Sequence, residues 1–571
     1  MLSWDLQPQR AQFLRYACCL CALSAGFSQT SPHADSLTGI LQAELDRNFR
    51  ALSKADPPPY FMSYEVDEQE GDSLSASLGA LVAQNHAHLR AADTTVRVGS
   101  GKFDNYHPYK GSSGSFTSAV QLSLDDNANQ IQRTLWLETD RVYRAAARRL
   151  LQLKTDQQLL AEQGAVAADF SVEKPEVYSK LPERYQFETA AWADKLRALS
   201  KEFIQHPDIL SSQVGVAGHR EVKTLVNTEG AAIEHGTNLF RFEVSASALA
   251  PDGMDLRTFA SFEASALDRL PPDTDLRAAV KKTADQLSAL VKAPVAEPVV
   301  CPAILSGSAA AVFFHEIFGH RVEGHRQKDI AEGQTFTKML GQPVLPPFLS
   351  VTFDPTRHSI QGIDLNGYYE FDDEGVRARP VNIVKDGILK TFLLSRSPVG
   401  EFDHSNGHGR RQPGMEVVSR QSNLLVISTK QVSDKELREE LIAEVKRQNK
   451  PYGLYFEQVS SGYTTTRRQG LQAFTVVPLV VYKVYPDGRP DELIRGVDIV
   501  GTPLASFRKI LATSDRLEVF NGYCGAESGS VPVAAVSPAI LVSEIEIEKK
   551  QNSQQRPPLL PRPGTLVAAK Q

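Results

Sequence analysis

The residues with the most direct chemical reading are His315, Glu316 and His320, in the run His315-Glu316-Ile317-Phe318-Gly319-His320. Each imidazole can offer a neutral nitrogen to a metal ion, and the carboxylate after the first is placed to take a proton from an activated water. That is the residue set of a hydrolytic zinc site. The spacing departs from H-E-x-x-H, whose histidines lie four apart on one helix face. Here they are five apart, ~140° around a regular α-helix. Both can reach one ion if the backbone widens by a residue, as in a π-bulge, or if the helix ends near Gly319. A glycine there makes the second route easy. The competing reading is a helix end that carries two histidines and an unrelated glutamate. His325, beside Arg326, reads as a solvated side chain and not as a ligand.

For these side chains to converge, Ala309 to Phe314 must be a helix set among strands, and the chain from 298 to 550 reads as mostly strands. Ile383 to Leu389 and Val484 to Gly488 carry the Asp-Gly pair that tight hairpins prefer. Upstream, Leu37 to Leu52 reads as an amphipathic helix, and Tyr60 to Val98 as a small sheet that Pro57-Pro58-Pro59 opens. Residues 99–114, rich in Gly, Ser and Tyr, read as a long loop. Leu135 to Leu160 is expected to be a helix with Leu135, Val142, Ala146, Leu150 and Leu153 on one face. Trp192, Leu196, Leu199 and Phe203 mark a second helix that stops before His206-Pro207. Phe240, Phe242 and Val244 alternate as a strand. A third helix uses Leu276, Val280, Leu287 and Val291 with Asp273 or Thr274 as its cap. Residues 293–298 read as a linker.

The fold class is therefore α+β and multidomain: helix/strand regions at 29–125 and 126–297, a strand-rich C-terminal domain at 298–550, and a disordered Gln/Pro-rich tail at 551–571. The length of 571 residues agrees, since about three or four units are expected at that size. A hydrophobic fraction of 42% and a charged fraction of 23% exclude bulk disorder. The net charge of −6 argues against a nucleic-acid partner. No run of ~18 apolar residues occurs, so no membrane span is expected.

Residues 1–28 read as a signal peptide. Arg10 and Arg15 precede the apolar stretch Tyr16 to Phe27, and Ala22, Ser24 and Gly26 supply small residues for cleavage. Export to a periplasm or beyond is expected; the alternative is the start of a cytoplasmic protein. Cys18, Cys19 and Cys21 fall in that stretch, which leaves Cys301 and Cys524. In an oxidising compartment these two could pair as a disulfide, or Cys524 could be held by a metal.

His315 to Gly324 (HEIFGHRVEG) resembles the zinc-binding helix of the TldD/PmbA metallopeptidase family, on the TldD side. Further family landmarks follow in order: Asp372-Asp373-Glu374-Gly375, the Lys385 to Lys390 hairpin, Asn406 to Arg411, Arg495-Gly496, Gly522-Tyr523-Cys524-Gly525, Ser530 to Val533, and Ser537 to Glu544. The resemblance is strong from about Pro298 to Glu548 and diffuse before it. It implies Cys524 as a third metal ligand beside His315 and His320, with one Zn2+ per chain and an open position for water. Cys301 is then unpaired. It also implies a dimer that encloses an extended peptide substrate, as a homodimer or as a heterodimer with a PmbA-like paralogue. His404, His408, Arg410 and Arg411 are polar candidates for that cleft; their other reading is a solvated loop. One departure stands out: Ala526 and Glu527 follow Cys-Gly where such members commonly carry a lysine.

The function these features lead to is zinc-dependent hydrolysis of extended or unfolded peptides, with Glu316 as general base. No G-x-S-x-G, phosphate-binding G-x-x-x-x-G-K-[ST] or G-x-G-x-x-G run competes with it. The alternative is a non-catalytic partner subunit, or a binding protein with structural zinc. Structural zinc would need a fourth protein ligand, with Glu323 or His325 the first to consider.

Overall fold

The computed structural model describes residues 36–550 except 109–113, 160–166, 330–331, 465, 468–473 and 502–505, and also Pro558, Leu560 and Pro563. The expected signal at 1–28 lies outside the described residues, as does the tail from 551 apart from those three positions.

The first part of the chain runs α1 (Leu37–Leu52), β1 (Pro59–Ser77), β2 (Ala80–Ser100), β3 (Phe103–Asp104), β4 (Val120–Gln121), α2 (Ala128–Leu159), β5 (Val177–Lys180), α3 (Thr189–Ser200), β6 (Ser211–Asn227), β7 (Ala232–Leu249), β8 (Asp255–Ala264) and α4 (Asp273–Lys292). Its strands form one eight-stranded sheet in the order β3-β2-β1-β6-β7-β5, with β4 beside β2 and β8 beside β7. Strands on both sides of residue 125 thus share a sheet, through the antiparallel register Ser63↔Asn227 to Ala76↔Val214. Alternation along β7 turns Phe240, Phe242 and Val244 into one core with Leu196 of α3 and Leu276 and Leu287 of α4. A separate core joins Leu41 and Leu45 of α1, Leu135 and Val142 of α2, and Met62 and Val96 of the sheet.

Three local expectations need correction. Helix α2 starts at Ala128 and not Leu135, because Asn127 Oδ1 accepts from Gln130 N at 3.0 Å and caps it. Helix α4 is preceded by Pro272, which makes no side-chain cap bond, and Asp273 lies in the first turn. The loop expected from residue 99 begins as strand: β2 continues to Ser100 and pairs with β3.

The rest of the chain comprises β9 (Val299–Leu305), α5 (Gly307–Ile317), α6 (His325–Lys328), β10 (Leu349–Phe353), β11 (Ser359–Ile360), β12 (Ile363–Asp364), β13 (Val381–Lys385), β14 (Ile388–Leu389), β15 (Gly409–Arg410), β16 (Val418–Ser419), β17 (Asn423–Ser428), β18 (Gln431–Val432), α7 (Asp434–Arg447), β19 (Gly453–Thr464), β20 (Phe474–Val484), β21 (Glu492–Ile494), β22 (Val497–Gly501), β23 (Ile510–Ala526) and β24 (Gly529–Lys549). Twelve of these strands make one sheet. Strand β9 pairs in parallel with β19 and antiparallel with β24, so β9, β19, β20, β22 and β24 close on themselves. Helix α5 packs against β19, β23 and β24. From Gly307 to Phe314 its sequence is apolar or small on every side, and Ala309 to Phe314 are all buried. Such a helix belongs inside a core and not on a surface.

The residues expected to link the two parts are stitched in: Ala296 N donates to Arg495 O at 2.9 Å. Ion pairs join the two parts as well, with Lys223 Nζ 2.6 Å from Asp373 Oδ1 and the buried Arg411 Nη2 2.5 Å from Glu65 Oε2. Between them lies a cavity of about 850 Å³, walled by Glu70, His219 and Lys223 on one side and Asp373, Arg410 and Tyr523 on the other. Among the described residues no helix is long and apolar enough to cross a membrane.

Of the two Asp-Gly turns, only the first closes a two-residue hairpin: Lys385 faces Ile388, with φ of 49° at Asp386 and 78° at Gly387. The second sits in a longer connection whose flanking pair is Lys483↔Glu492. A Cβ at Gly387 would lie 2.5 Å from Leu345 O. Gly387→Ala should therefore destabilise the C-terminal domain by at least ~1 kcal/mol, through positive φ and this clash. Urea unfolding followed by far-ultraviolet circular dichroism tests it; an unchanged midpoint would contradict the turn.

Candidate metal centre

Ser306 starts α5, its hydroxyl accepting from Ala309 N at 3.2 Å. The helix carries His315 and Glu316 in its last turn and stops at Ile317. Gly319–Arg321 then tighten into a 3₁₀ turn that carries His320. The five-residue spacing is thus met by ending the helix, with no π-bulge. Gly319 serves a reason different from the one expected. Its backbone does not require φ > 0; a Cβ there would lie 1.9 Å from Oε1 of Gln421. The glycine leaves room for a neighbouring side chain.

Cys524 arrives from β23, a strand that packs along α5. His315, His320 and Cys524 each present one donor atom, and the three atoms lie within 4.8 Å of one another. The imidazole centroids are 5.1 Å apart at an interplanar angle of 85°. Cys524 Sγ is 3.5 Å from His320 Nε2. Glu316 sits beside them with Oε2 3.9 Å from His320 Nε2, and neither of its carboxylate oxygens has a hydrogen-bond partner. All four residues are at most 2% exposed.

A charged shell supports this cluster. Glu323 Oε2 lies 3.1 Å from His320 Nδ1, the ring nitrogen turned away from Cys524, and accepts from Arg326 Nε at 2.8 Å. Arg326 forks onto Glu527 at 2.7 and 2.8 Å. Arg420 Nη2 donates to Cys524 O at 2.5 Å, and its Nη1 to Ser528 Oγ at 2.7 Å and Gly529 O at 2.9 Å. Burial alone would lower the His320 pKa; the Cys524 thiolate and the Glu323 carboxylate outweigh it and raise it to about 10. Burial alone would raise that of Cys524, yet His320 and Arg420 hold it well below the usual thiol range. Fields that favour a proton on His320 and a thiolate on Cys524 equally favour a cation between them.

Cys301 and Cys524 are both free and buried, so the disulfide reading fails. Burial pushes the Cys301 thiol up to about 12, which keeps it an inert core thiol on β9. Glu323 binds the outer nitrogen of His320, and His325 Nε2 lies 3.6 Å from Glu527 Oε2, so neither is a fourth donor. Of the polar residues considered for a cleft, His404 is a solvated side chain 3.4 Å from Glu173. His408 is buried, 3.1 Å from Ser422 Oγ, and burial lowers its pKa to about 3. Arg410 and Arg411 line the cavity between the sheets. Tyr523 lines it too, and alternation along β23 puts its side chain opposite that of Cys524. Sequence reasoning missed Gln421 and Arg420. Both come from the loop between β16 and β17, about 100 residues from either half of the cluster, and no local pattern marks them.

Residues 298–549 match the model of the PmbA/TldA metallopeptidase C-terminal domain. A metalloprotease of Archaeoglobus fulgidus is 32% identical over 240 residues, 42% of this chain and 51% of that protein. A zinc metalloprotease TldD homolog of Saccharolobus solfataricus is 23% identical over 249 residues, 43% of this chain and 51% of that protein. The chain spans about half the length of these curated relatives. The fold of TldE from Thermococcus kodakarensis is similar over 89% of this chain and all of that one, with a TM-score of 0.59 at 12% identity. Residues 298–549 are thus similar to the C-terminal domain of PmbA/TldA metallopeptidases, and the metal-ligand motif and the cysteine strand both fall within that span.

Proposed function

We propose that the chain is a zinc metallopeptidase acting on extended or unfolded peptides. The observation that carries this reading is one buried point where two imidazoles, a thiolate and an unpartnered carboxylate converge. The donor set suits zinc, whose sites favour histidine and thiolate ligands. Three protein donors leave a position open, and the orphaned Glu316 oxygens supply acceptors for a water there. When bound, zinc polarises the scissile carbonyl and lowers the pKa of water from ~16 toward ~7.

Glu316 takes a proton from the attacking water as its oxygen adds to the carbonyl carbon. When the C–N bond breaks, the same carboxyl returns that proton to the amine nitrogen, leaving a carboxylate and a free amine. Glu323 holds the His320 ring through Nδ1, fixing which nitrogen faces inward. Burial of all four residues supports a threaded, extended substrate over a folded protein. The similarity of residues 298–549 to the PmbA/TldA C-terminal domain, and of the fold to TldE, supports assembly as a dimer, with a second copy or with a PmbA-like paralogue. Arg10, Arg15 and the apolar stretch after them support action outside the cytoplasm.

Zinc content is the first measurement. Wild type purified without added metal should carry one zinc per chain, and Cys524→Ala should lose most of it. A metal-free wild type would overturn the centre. In peptidase assays, chelation should abolish activity and zinc restore it. Glu316→Gln should keep its zinc while losing ~10²–10⁴-fold in kcat, the range for general acid–base groups. If Glu316→Gln stays active, the glutamate is not the base; zinc retained without peptidase activity in wild type would favour the partner-subunit reading.

A further inference from the structure

Gln421 is a buried carboxamide in the proposed peptidase centre with no role in the mechanism above. Its Nε2 lies 3.3 Å from His315 O and 3.4 Å from His315 Nε2. The carbonyl can only accept, so it turns the amide nitrogen toward itself and leaves Oε1 on the side of Gly319, the residue before His320. Oε1 is buried and has no hydrogen-bond partner. Both nitrogen contacts are longer than the 2.7–3.2 Å of good hydrogen bonds. An apolar side chain of similar size would fill this space without the ~1–3 kcal/mol that an unpaired buried polar atom costs. The neighbourhood is nevertheless built around the carboxamide. Gly319 gives up its side chain where a Cβ would meet Oε1, and Arg410 Nη1 donates to Gln421 O at 2.7 Å, fixing the main chain.

Glu323 Oε1 also lacks a hydrogen bond but has the Arg420 guanidinium 3.6 Å away, so the buried acceptors left with neither donor nor ion-pair partner are both oxygens of Glu316, apart from the His320 ring 3.9 Å from Oε2, and Oε1 of Gln421. Each side chain lies against one of two imidazoles whose centroids are 5.1 Å apart. A water has two hydrogens, and buried waters typically make two to four hydrogen bonds. We infer that Gln421 Oε1 is the second acceptor that orients the attacking water. One hydrogen goes to Glu316, which removes it; the other goes to Gln421, which holds it without taking it. This leaves the water lone pair to be aimed by two fixed acceptors. The inference rests on the peptidase reading for its kinetic consequence and on the orphaned atoms for its geometry.

The test is Gln421→Met, close in size and without an acceptor, with a crystal structure of the zinc-loaded wild type. The variant should bind zinc within about threefold of wild type, measured by chelator competition, because Gln421 is not a ligand. Its melting temperature should not fall. Its kcat should drop on the order of 10–100-fold with KM little changed, the size of loss typical of residues that orient a metal site's ligands and water. The wild-type structure should show a water within hydrogen-bond distance of both Glu316 and Gln421. Zinc affinity lost together with activity, kcat unchanged, or no such water would each overturn the inference. A wild type that cleaves no peptide removes the peptidase reading alone, since the water position still decides this one.

Discussion

Burying two imidazoles, a thiol and a carboxylate within the largest apolar core of the molecule is the constraint to which the C-terminal domain answers. Cys524 is counted among that core's fully buried residues, with Phe313, Phe314 and Ile317 of α5 beside the cluster. Ionisable groups placed in such surroundings lose hydration worth several kcal/mol each unless charge or hydrogen bonds replace it. The domain supplies both. Arg420 is itself fully buried and spends its guanidinium on the carbonyls and hydroxyl around the β23–β24 turn, next to the thiolate it stabilises. Glu323 and Arg326 carry compensation outward from His320 until it reaches the half-exposed Glu527. Among these ionisable groups the exception is Glu316, neither of whose oxygens has a hydrogen-bond donor. That asymmetry marks it, together with Oε1 of Gln421, as a group whose partner comes from outside the chain.

The outward path also explains the acid that follows Cys524. Glu527 meets Arg326 in a two-pronged ion pair and has His325 3.6 Å away. A cation at 527 would face Arg326 across a few ångströms, so the acid and Arg326 fit as a pair. Their contact locks the β23–β24 turn onto α6.

Much of the site was legible because its chemistry is local. His315, Glu316 and His320 stand within six residues, and the spacing alone demanded an interrupted helix, which is what α5 and its 3₁₀ turn provide. Cys524 was reachable through family motifs, since no periodicity links it to a helix some 200 residues earlier. Gln421 and Arg420 were not legible at all. Their positions follow from which strands neighbour β24, and pairing order is a long-range property that residue patterns do not encode. The same limit explains why residues before and after 125 share a sheet: each strand alternates correctly on its own, but only the β1–β6 register joins them. Local turn chemistry was mixed for a related reason. Asp386-Gly387 sits between paired residues and sets a hairpin, whereas Asp487-Gly488 lies in a connection too long for it to set the register.

The five-residue spacing acquires its meaning from Gln421. Histidines four apart would keep the helix running past Phe318, with side chains on every position of that face. Ending it at Ile317 and tightening the next turn puts Gly319 where a continuing helix would present a Cβ, and the carboxamide enters through that gap. The helix therefore gives up one turn of backbone hydrogen bonding, and in exchange a further polar side chain, from the connection between β16 and β17, reaches the His315 imidazole. Spacing, glycine and glutamine are one device, in which none of the three has its present purpose without the other two.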